Sequence, residues 1–100
     1  MSLKVYDKAK WHIEKGMDTK DILEHFDFMF SWLKEFNLLS EEGLEILDIG
    51  IDESISLNER MVNIGGAIFL EKNYDKYISR IDYGKNQDRK YLEELYFKIN

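Results

Sequence analysis

The chain has 100 residues and no cysteine, so disulfides, thiolate metal sites and a thiol nucleophile are excluded. Its 44% of apolar residues are sufficient to build a single domain that spans residues 1–100, whereas the formal net charge of −6 disfavours a nucleic-acid partner. Apolar runs are shorter than the roughly 20 residues of a membrane-spanning helix, and lysines interrupt the N-terminus where a signal peptide would be apolar, so we expect no membrane partner and a cytoplasmic location.

Two helices are predicted in the first third of the chain. The apolar spacing from Tyr6 to Glu14 predicts a short amphipathic helix. The second helix runs from Asp21 to Phe36, with Asp18 as its N-terminal cap. Its apolar and aromatic residues cover an arc of roughly 220° at about 100° per residue. An arc of this width predicts a central helix that is packed on two sides by other elements.

The middle of the chain contains one clear helix start and one ambiguous stretch. Ser40, which two glutamates follow, is typical of the first residue of a helix. Residues 47–52 alternate between apolar and polar types, which fits a strand, but the spacing of Leu44, Leu47 and Ile51 also fits one helix face. We favour a helix to about Asp48 that is followed by an irregular link.

Three further patterns complete the predicted fold. The sequence Ser-Leu-Asn-Glu at residues 56–59 is a capping box and predicts a helix that starts at Ser56 and extends through Ile68. Apolar spacing predicts another helix over 74–81 and a last one over 91–99, after Asp88. The predicted fold class is therefore all-α, a compact bundle of about five helices around the aromatic-rich helix from Asp21 to Phe36.

Acidic residues are concentrated in one segment. Eight of them, and no basic residue, lie between Lys34 and Arg60, and the remainder of the chain has a net charge of +2. Because a surface of one sign attracts the opposite sign, we expect this segment to bind a basic protein. On a helix, four of these carboxylates would fall within about 60° of one another. These four are Glu41, Glu45, Asp48 and Asp52.

Two other interpretations of the acidic segment remain open. It could be a plain solvated face, or Arg60, Arg80 or Arg89 could neutralise it through the fold. A cation site is a third alternative, but the spacing of the acids does not match a calcium-binding loop. We therefore predict no metal and no cofactor for this segment.

The two histidines, His12 and His25, offer a second candidate site. His25 falls on the apolar face of the central helix, which favours a neutral imidazole that is hydrogen-bonded at the edge of the core. Alternatively, His25 joins Asp7 and His12 in a polar pocket for a small ligand or a metal. No zinc-binding motif of the HExxH type is present, so the sequence predicts no metal ligand.

Three segments resemble a family of small bacterial proteins, a domain of unknown function. Residues 6–12, Tyr-Asp-Lys-Ala-Lys-Trp-His, are similar to its N-terminal YDxAxWH motif, and residues 28–33, Phe-Met-Phe-Ser-Trp-Leu, resemble its MFLAWL-like helix. Residues 73–77 and 82–83 resemble its YYDxY…DY segment. The resemblance implies no activity that can be transferred. It marks four polar residues as a shared site or a buried hydrogen-bond network, namely Asp7, His12, Asp82 and Tyr83.

The absence of any catalytic motif from the sequence predicts a protein that is not an enzyme. Its small size, and the bacterial context that the resemblance implies, are similar to those of immunity proteins that neutralise toxins. We therefore predict a protein-binding module, of the immunity or antitoxin kind, that uses the acidic segment. The alternatives are a small-ligand or metal-binding domain that uses Asp7, His12 and His25, and a homo-oligomer without a separate ligand.

Overall fold

The computed structural model describes residues 3–81 and 87–98. Within these ranges the chain is mostly helical, with a small antiparallel sheet of two strands. None of the helices described there is both long enough and apolar enough to cross a membrane. The elements in chain order are β1 (Val5–Lys8), α1 (Ala9–Ile13), α2 (Thr19–Glu35), α3 (Glu41–Ile49), β2 (Ser56–Asn58), α4 (Ile64–Arg80) and α5 (Arg89–Phe97).

The central position predicted for the second helix is confirmed by α2. Its Asp18 cap accepts hydrogen bonds at Oδ1 from the amides of Lys20, at 2.8 Å, and Asp21, at 3.3 Å. The helix ends at Glu35, and Asn37, two residues later, has a φ of 57°, the left-handed conformation that often follows a helix. Its buried side chains, which form the middle of the core, are Ile22, His25, Phe26, Met29, Phe30, Trp32 and Leu33.

Trp32 is the point at which three helices meet. Its ring lies 5.2 Å from that of Phe69 on α4 and 5.7 Å from that of Tyr96 on α5, centroid to centroid. The side chain is 1% exposed. In the described part of the chain its indole Nε1 is buried without a hydrogen-bond partner. Trp32 therefore stabilises the fold by packing alone, and its N–H group works against that stabilisation.

The all-α prediction is wrong for two segments, which form the sheet. Residues 5–8 are strand rather than the start of a helix, and only residues 9–13 of the predicted first helix are helical. Ser56 begins β2 rather than a helix, with Leu57 opposite Asp7 across the sheet. The physical reason is pairing over a long sequence separation, because each strand satisfies the backbone groups of the other.

The helix expected from the capping box at residues 56–59 begins later in the structure. Glu59 accepts a hydrogen bond from the amide of Lys4 at 3.1 Å instead of closing the box. Asn63 is the actual cap of α4, since its Oδ1 accepts from the amide of Gly66 at 2.9 Å. The two apolar patterns predicted as separate helices after Ser56 are joined in this one helix of 17 residues.

The helix start predicted at Ser40 is confirmed, and it positions α3. Ser40 Oγ accepts from the amide of Gly43 at 3.1 Å and donates to the carbonyl of Arg60 at 2.5 Å. The amide of Ser40 also donates to the carbonyl of Met61 at 3.0 Å. A Cβ at Gly43 would lie 2.1 Å from the same Met61 oxygen. This close approach holds α3 against the segment that connects β2 to α4.

Gly43→Ala should therefore destabilise the fold by about 1–3 kcal/mol, because a backbone carbonyl has to move to admit the methyl group. Gly65→Ala is the matched control, since it is also a glycine in the first turn of a helix. Its Cβ would meet only the Leu38 side chain, at 3.3 Å, and the Asn63 side chain, at 3.4 Å. We expect this control to be neutral or stabilising by up to about 1 kcal/mol. Urea unfolding measures both, and equal effects would contradict the close approach at Gly43.

Trp32→Ala should lower the free energy of unfolding by about 3–5 kcal/mol, as expected for a large buried aromatic residue. Trp32→Phe should cost less than half as much, because it keeps most ring contacts and removes the N–H group that has no partner. Chemical denaturation of the two variants tests this order. A loss below about 1 kcal/mol for Trp32→Ala would contradict the central packing role of the residue.

Candidate functional site

A buried hydrogen-bond network begins at Asp7 on β1. The residue is 3% exposed, and its side chain is directed into the protein. Oδ1 lies 2.6 Å from His12 Nε2 and accepts from the amide of Lys8 at 2.9 Å. Oδ2 accepts from the hydroxyl of Tyr74 on α4 at 2.6 Å. Because α1 follows β1 directly, the first turn of this helix places His12 beside the Asp7 carboxyl group.

The network continues from Tyr74 into α2. His25 Nε2 is 2.8 Å from the Tyr74 hydroxyl, and His25 Nδ1 is 3.1 Å from the side-chain amide of Gln87. The same amide lies 2.9 Å from the hydroxyl of Tyr77, which accepts from the amide of Asp88, also at 2.9 Å. One continuous series of hydrogen bonds therefore connects β1, α1, α2 and α4 with the segment just before α5.

Burial determines the protonation of two side chains in this network, His25 and Tyr77. Desolvation lowers the pKa of His25 to about 4, and hydrogen bonding to Gln87 and the charge of Asp7 oppose that shift only in part. His25 is therefore neutral at neutral pH and has one N–H group. Burial likewise raises the pKa of Tyr77 to about 12, so its hydroxyl keeps its proton.

The proton count fixes one hydrogen-bond direction in this network. The single hydroxyl proton of Tyr74 goes to Asp7, so Nε2–H of the neutral His25 donates to the Tyr74 oxygen. The hydroxyl of Tyr77 donates to Gln87 Oε1 and accepts from the amide of Asp88.

The predicted polar pocket is thus partly assembled in the structure. Asp7, His12 and His25 belong to one network, although Tyr74 lies between His25 and the carboxyl group of Asp7. The other two candidates, Asp82 and Tyr83, lie outside the described residues. Sequence reasoning missed the roles of Tyr74, Tyr77 and Gln87. The spacing of the two tyrosines indicates a core-facing side of a helix, but not which polar group their hydroxyls meet.

The network has the properties of a structural element. Both ring nitrogens of His25 are engaged within the protein, and a metal ion would have to displace one of these hydrogen bonds. Over residues 3–81 and 87–98, no group of three or more histidine, aspartate or glutamate side chains is arranged to hold a metal ion.

The predicted acidic residues, in contrast to the buried network, are exposed to solvent. Glu41, Glu45 and Asp48 are exposed on α3. Asp52 is also exposed, but it lies in the turn after α3 and not on the helix, because the helix ends at Ile49. Its Oδ1 accepts from the amide of Ser54 at 2.9 Å and from the Ser54 hydroxyl at 2.5 Å. These hydrogen bonds lower the pKa of Asp52 and keep it ionised.

The arginines pair with other acids. Arg60 forms an ion pair with Glu42 at 3.3 Å, and Arg80 forms one with Asp88 at 3.6 Å. Arg89 pairs with Glu35 and Glu93. None of the ion pairs between described residues involves the four predicted acids on α3 and its following turn. Their charge therefore remains available to a partner.

Apolar side chains accompany these acids. On α3, Leu44 is 41% exposed and Ile49 is 81% exposed. Beside Ile49, a groove of about 210 Å³ separates the end of α3 from β2, with Ile46, Ile55 and Met61 among its apolar walls. Sequence reasoning missed this groove, because its walls come from segments that only the fold brings together.

Comparisons with protein-family models, curated proteins and solved structures found no match. The resemblance to the family with the YDxAxWH motif therefore stays a prediction.

The stability of the protein should fall in mild acid because of His25. Below pH about 6.5 the unfolded chain takes up a proton at this residue, whereas the native protein takes it up only near pH 4. The stability that neutral His25 contributes is therefore complete above the unfolded pKa and is lost as the pH falls toward 4. The loss amounts to about 3 kcal/mol.

Urea unfolding as a function of pH tests this dependence. The His25→Gln variant should be less stable at neutral pH, and its stability should depend less on pH between about 4 and 6.5. Identical pH profiles for the native protein and His25→Gln would contradict a buried neutral imidazole.

Proposed function

We propose that the protein is a non-enzymatic binding protein of the immunity or antitoxin kind, which docks on a basic protein through an acidic surface. This acidic surface consists of Glu41, Glu45, Asp48 and Asp52. One observation carries the proposal. The four acids are exposed and form no ion pair with another described residue, whereas the neighbouring Glu42 and Glu35 are paired with arginines.

Electrostatics supports this assignment. Carboxylates without a basic partner repel one another on a short helix, and each neighbouring pair destabilises the helix by about 0.2–0.5 kcal/mol. A basic partner would remove that repulsion and would be attracted before contact, which raises the association rate. The field extends about 8 Å at physiological salt. Binding should therefore be fast and sensitive to salt.

The exposed apolar residues of α3 support a protein partner rather than a small ion. Leu44 and Ile49 lie within the same helix as three of the acids. Protein interfaces combine a desolvated apolar contact with a polar rim, and this helix presents both within nine residues. A small ion would make no use of the apolar side chains.

The alternative, a ligand or metal site at Asp7, His12 and His25, is less favoured by the geometry. The oxygen atoms of Asp7 and the nitrogen atoms of His25 are already used within the protein. A ligand would have to break these hydrogen bonds, and a buried polar group that loses its partner costs about 1–3 kcal/mol. We therefore propose that these residues maintain the fold that presents the acidic surface.

Neutralising the acidic surface tests the proposal. The variant Glu41→Gln/Glu45→Gln/Asp48→Asn/Asp52→Asn should associate with a basic protein probe, lysozyme, about tenfold more slowly at low salt. Its stability should change little, because the relief of like-charge repulsion offsets the loss of the Glu41 charge at the start of α3 and of the Asp52 charge that accepts from Ser54. The control Glu14→Gln/Glu24→Gln/Asp27→Asn/Glu94→Gln changes the net charge equally at exposed positions elsewhere. Stopped-flow or surface-plasmon measurements give the rates.

The two variants also test a cognate partner. A protein captured from the source cells supports the proposal only if it is basic, is lost with the acidic-surface variant and is retained by the control. Equal slowing of lysozyme binding in both variants would show that net charge alone is responsible. Unfolding of the first variant would show that these carboxylates are needed inside the fold. Either result would contradict the proposal.

A further inference from the structure

The groove between the end of α3 and β2 has the size of one long side chain. Its volume of about 210 Å³ corresponds to roughly seven water molecules at about 30 Å³ each. Small-molecule sites usually occupy about 300–1,000 Å³, so this groove is smaller than most of them. Ile46, Ile55 and Met61 provide apolar walls. Ile49 and Asp52 also line the groove and are exposed, which places them at its edge.

The edge of the groove is negatively charged. The carbonyl groups at the C-terminal end of α3 carry about −0.5 of an elementary charge, and the last turn of this helix contains no basic residue to balance it. Asp52 adds a full negative charge and is held in place by its two hydrogen bonds from Ser54. An apolar groove with a negative edge complements a long aliphatic chain that ends in a positive charge.

The backbone of β2 offers a second recognition element. The carbonyl of Ile55 accepts from the amide of Ala9 at 3.2 Å, and Leu57 is opposite Asp7. Successive residues of an antiparallel strand direct their backbone groups to alternate sides. Ser56, which lies between them and lines the groove, therefore directs its N–H and C=O away from β1. An extended partner segment could hydrogen-bond there by the strand-addition mode.

We propose that this groove binds the lysine or arginine side chain of an extended partner segment, and so anchors the docking of the acidic surface. The inference rests on the proposed function, because it names the part of the partner that the acidic surface recognises. In protein interfaces, an arginine side chain buried near the centre of a contact is a common source of binding energy.

Two blocked peptides of sequence Thr-Val-X-Val-Thr test the groove, one with arginine at X and one with citrulline. Citrulline has nearly the same shape and no charge. In an NMR titration, the arginine peptide should shift the amide resonances of Ile46, Gly50, Ser54 and Ser56. The citrulline peptide should bind at least about fivefold more weakly, as expected from the loss of a helix-end contact and one ion pair.

A matched pair of variants locates the interaction. Ile49 and Ile64 are both 81% exposed, so a lysine at either position changes the charge equally and should be tolerated by the fold. Ile49→Lys places a positive charge at the edge of the groove and should weaken binding of the arginine peptide at least about fivefold. Ile64→Lys, at the start of α4, should leave that affinity unchanged.

The possible failures can be told apart. Equal binding of the two peptides, no binding of either, or equal effects of the two lysine variants would overturn the groove proposal. If the acidic-surface variant still slows association with lysozyme in that case, the proposed function survives without the anchor. If peptide binding follows the predicted pattern but lysozyme association does not slow, the groove is a peptide site and the wider acidic surface is not a docking surface.

Discussion

The hydroxyl group of Tyr74 makes the contact on which the arrangement of the chain depends. It donates to Asp7 and accepts from His25, and so joins β1, α2 and α4 at one buried point. A buried carboxyl group and a buried imidazole are costly unless they are hydrogen-bonded. Each of the three side chains therefore holds the other two in place. Loss of one would leave buried polar groups without partners.

This contact also explains how a chain made mostly of helices accommodates a sheet of two short strands. Such a small sheet is only marginally stable by itself. Here Asp7 points inward to the network, and Leu57 opposite it is fully buried. The sheet is thus held by its side chains as well as by its backbone pairing. The sheet in turn positions the segment between β2 and α4, and this segment contacts the first turn of α3.

The result is a separation between polar residues that maintain the fold and polar residues that face solvent. His12, His25 and Tyr74 are used inside, where their hydrogen bonds connect different elements. The acids of α3 are held outward, because Gly43 and Ser40 fix the other side of this helix against the chain near Met61. An acidic surface on a rigidly held helix loses little conformational freedom on binding, which favours affinity.

The local sequence by itself determined α2, the helix starts at Ser40 and Asp88, and the concentration of acids on α3. These features depend on residues within a few positions of one another, since caps and helical periodicity act over one or two turns. His25 was also correctly placed on the apolar face of α2. What surrounds it, however, comes from residues 49 and 62 positions away in the chain.

Only the tertiary structure decided where the strands and the groove lie. The capping box at residues 56–59 is a valid local pattern, but pairing with β1 stabilises an extended conformation there. A strand of three residues has almost no local preference that could reveal it. The groove has walls from α3 and from β2, and the network connects residues near both ends of the chain. Such contacts form only after the chain has folded, so no local pattern of residues could predict them.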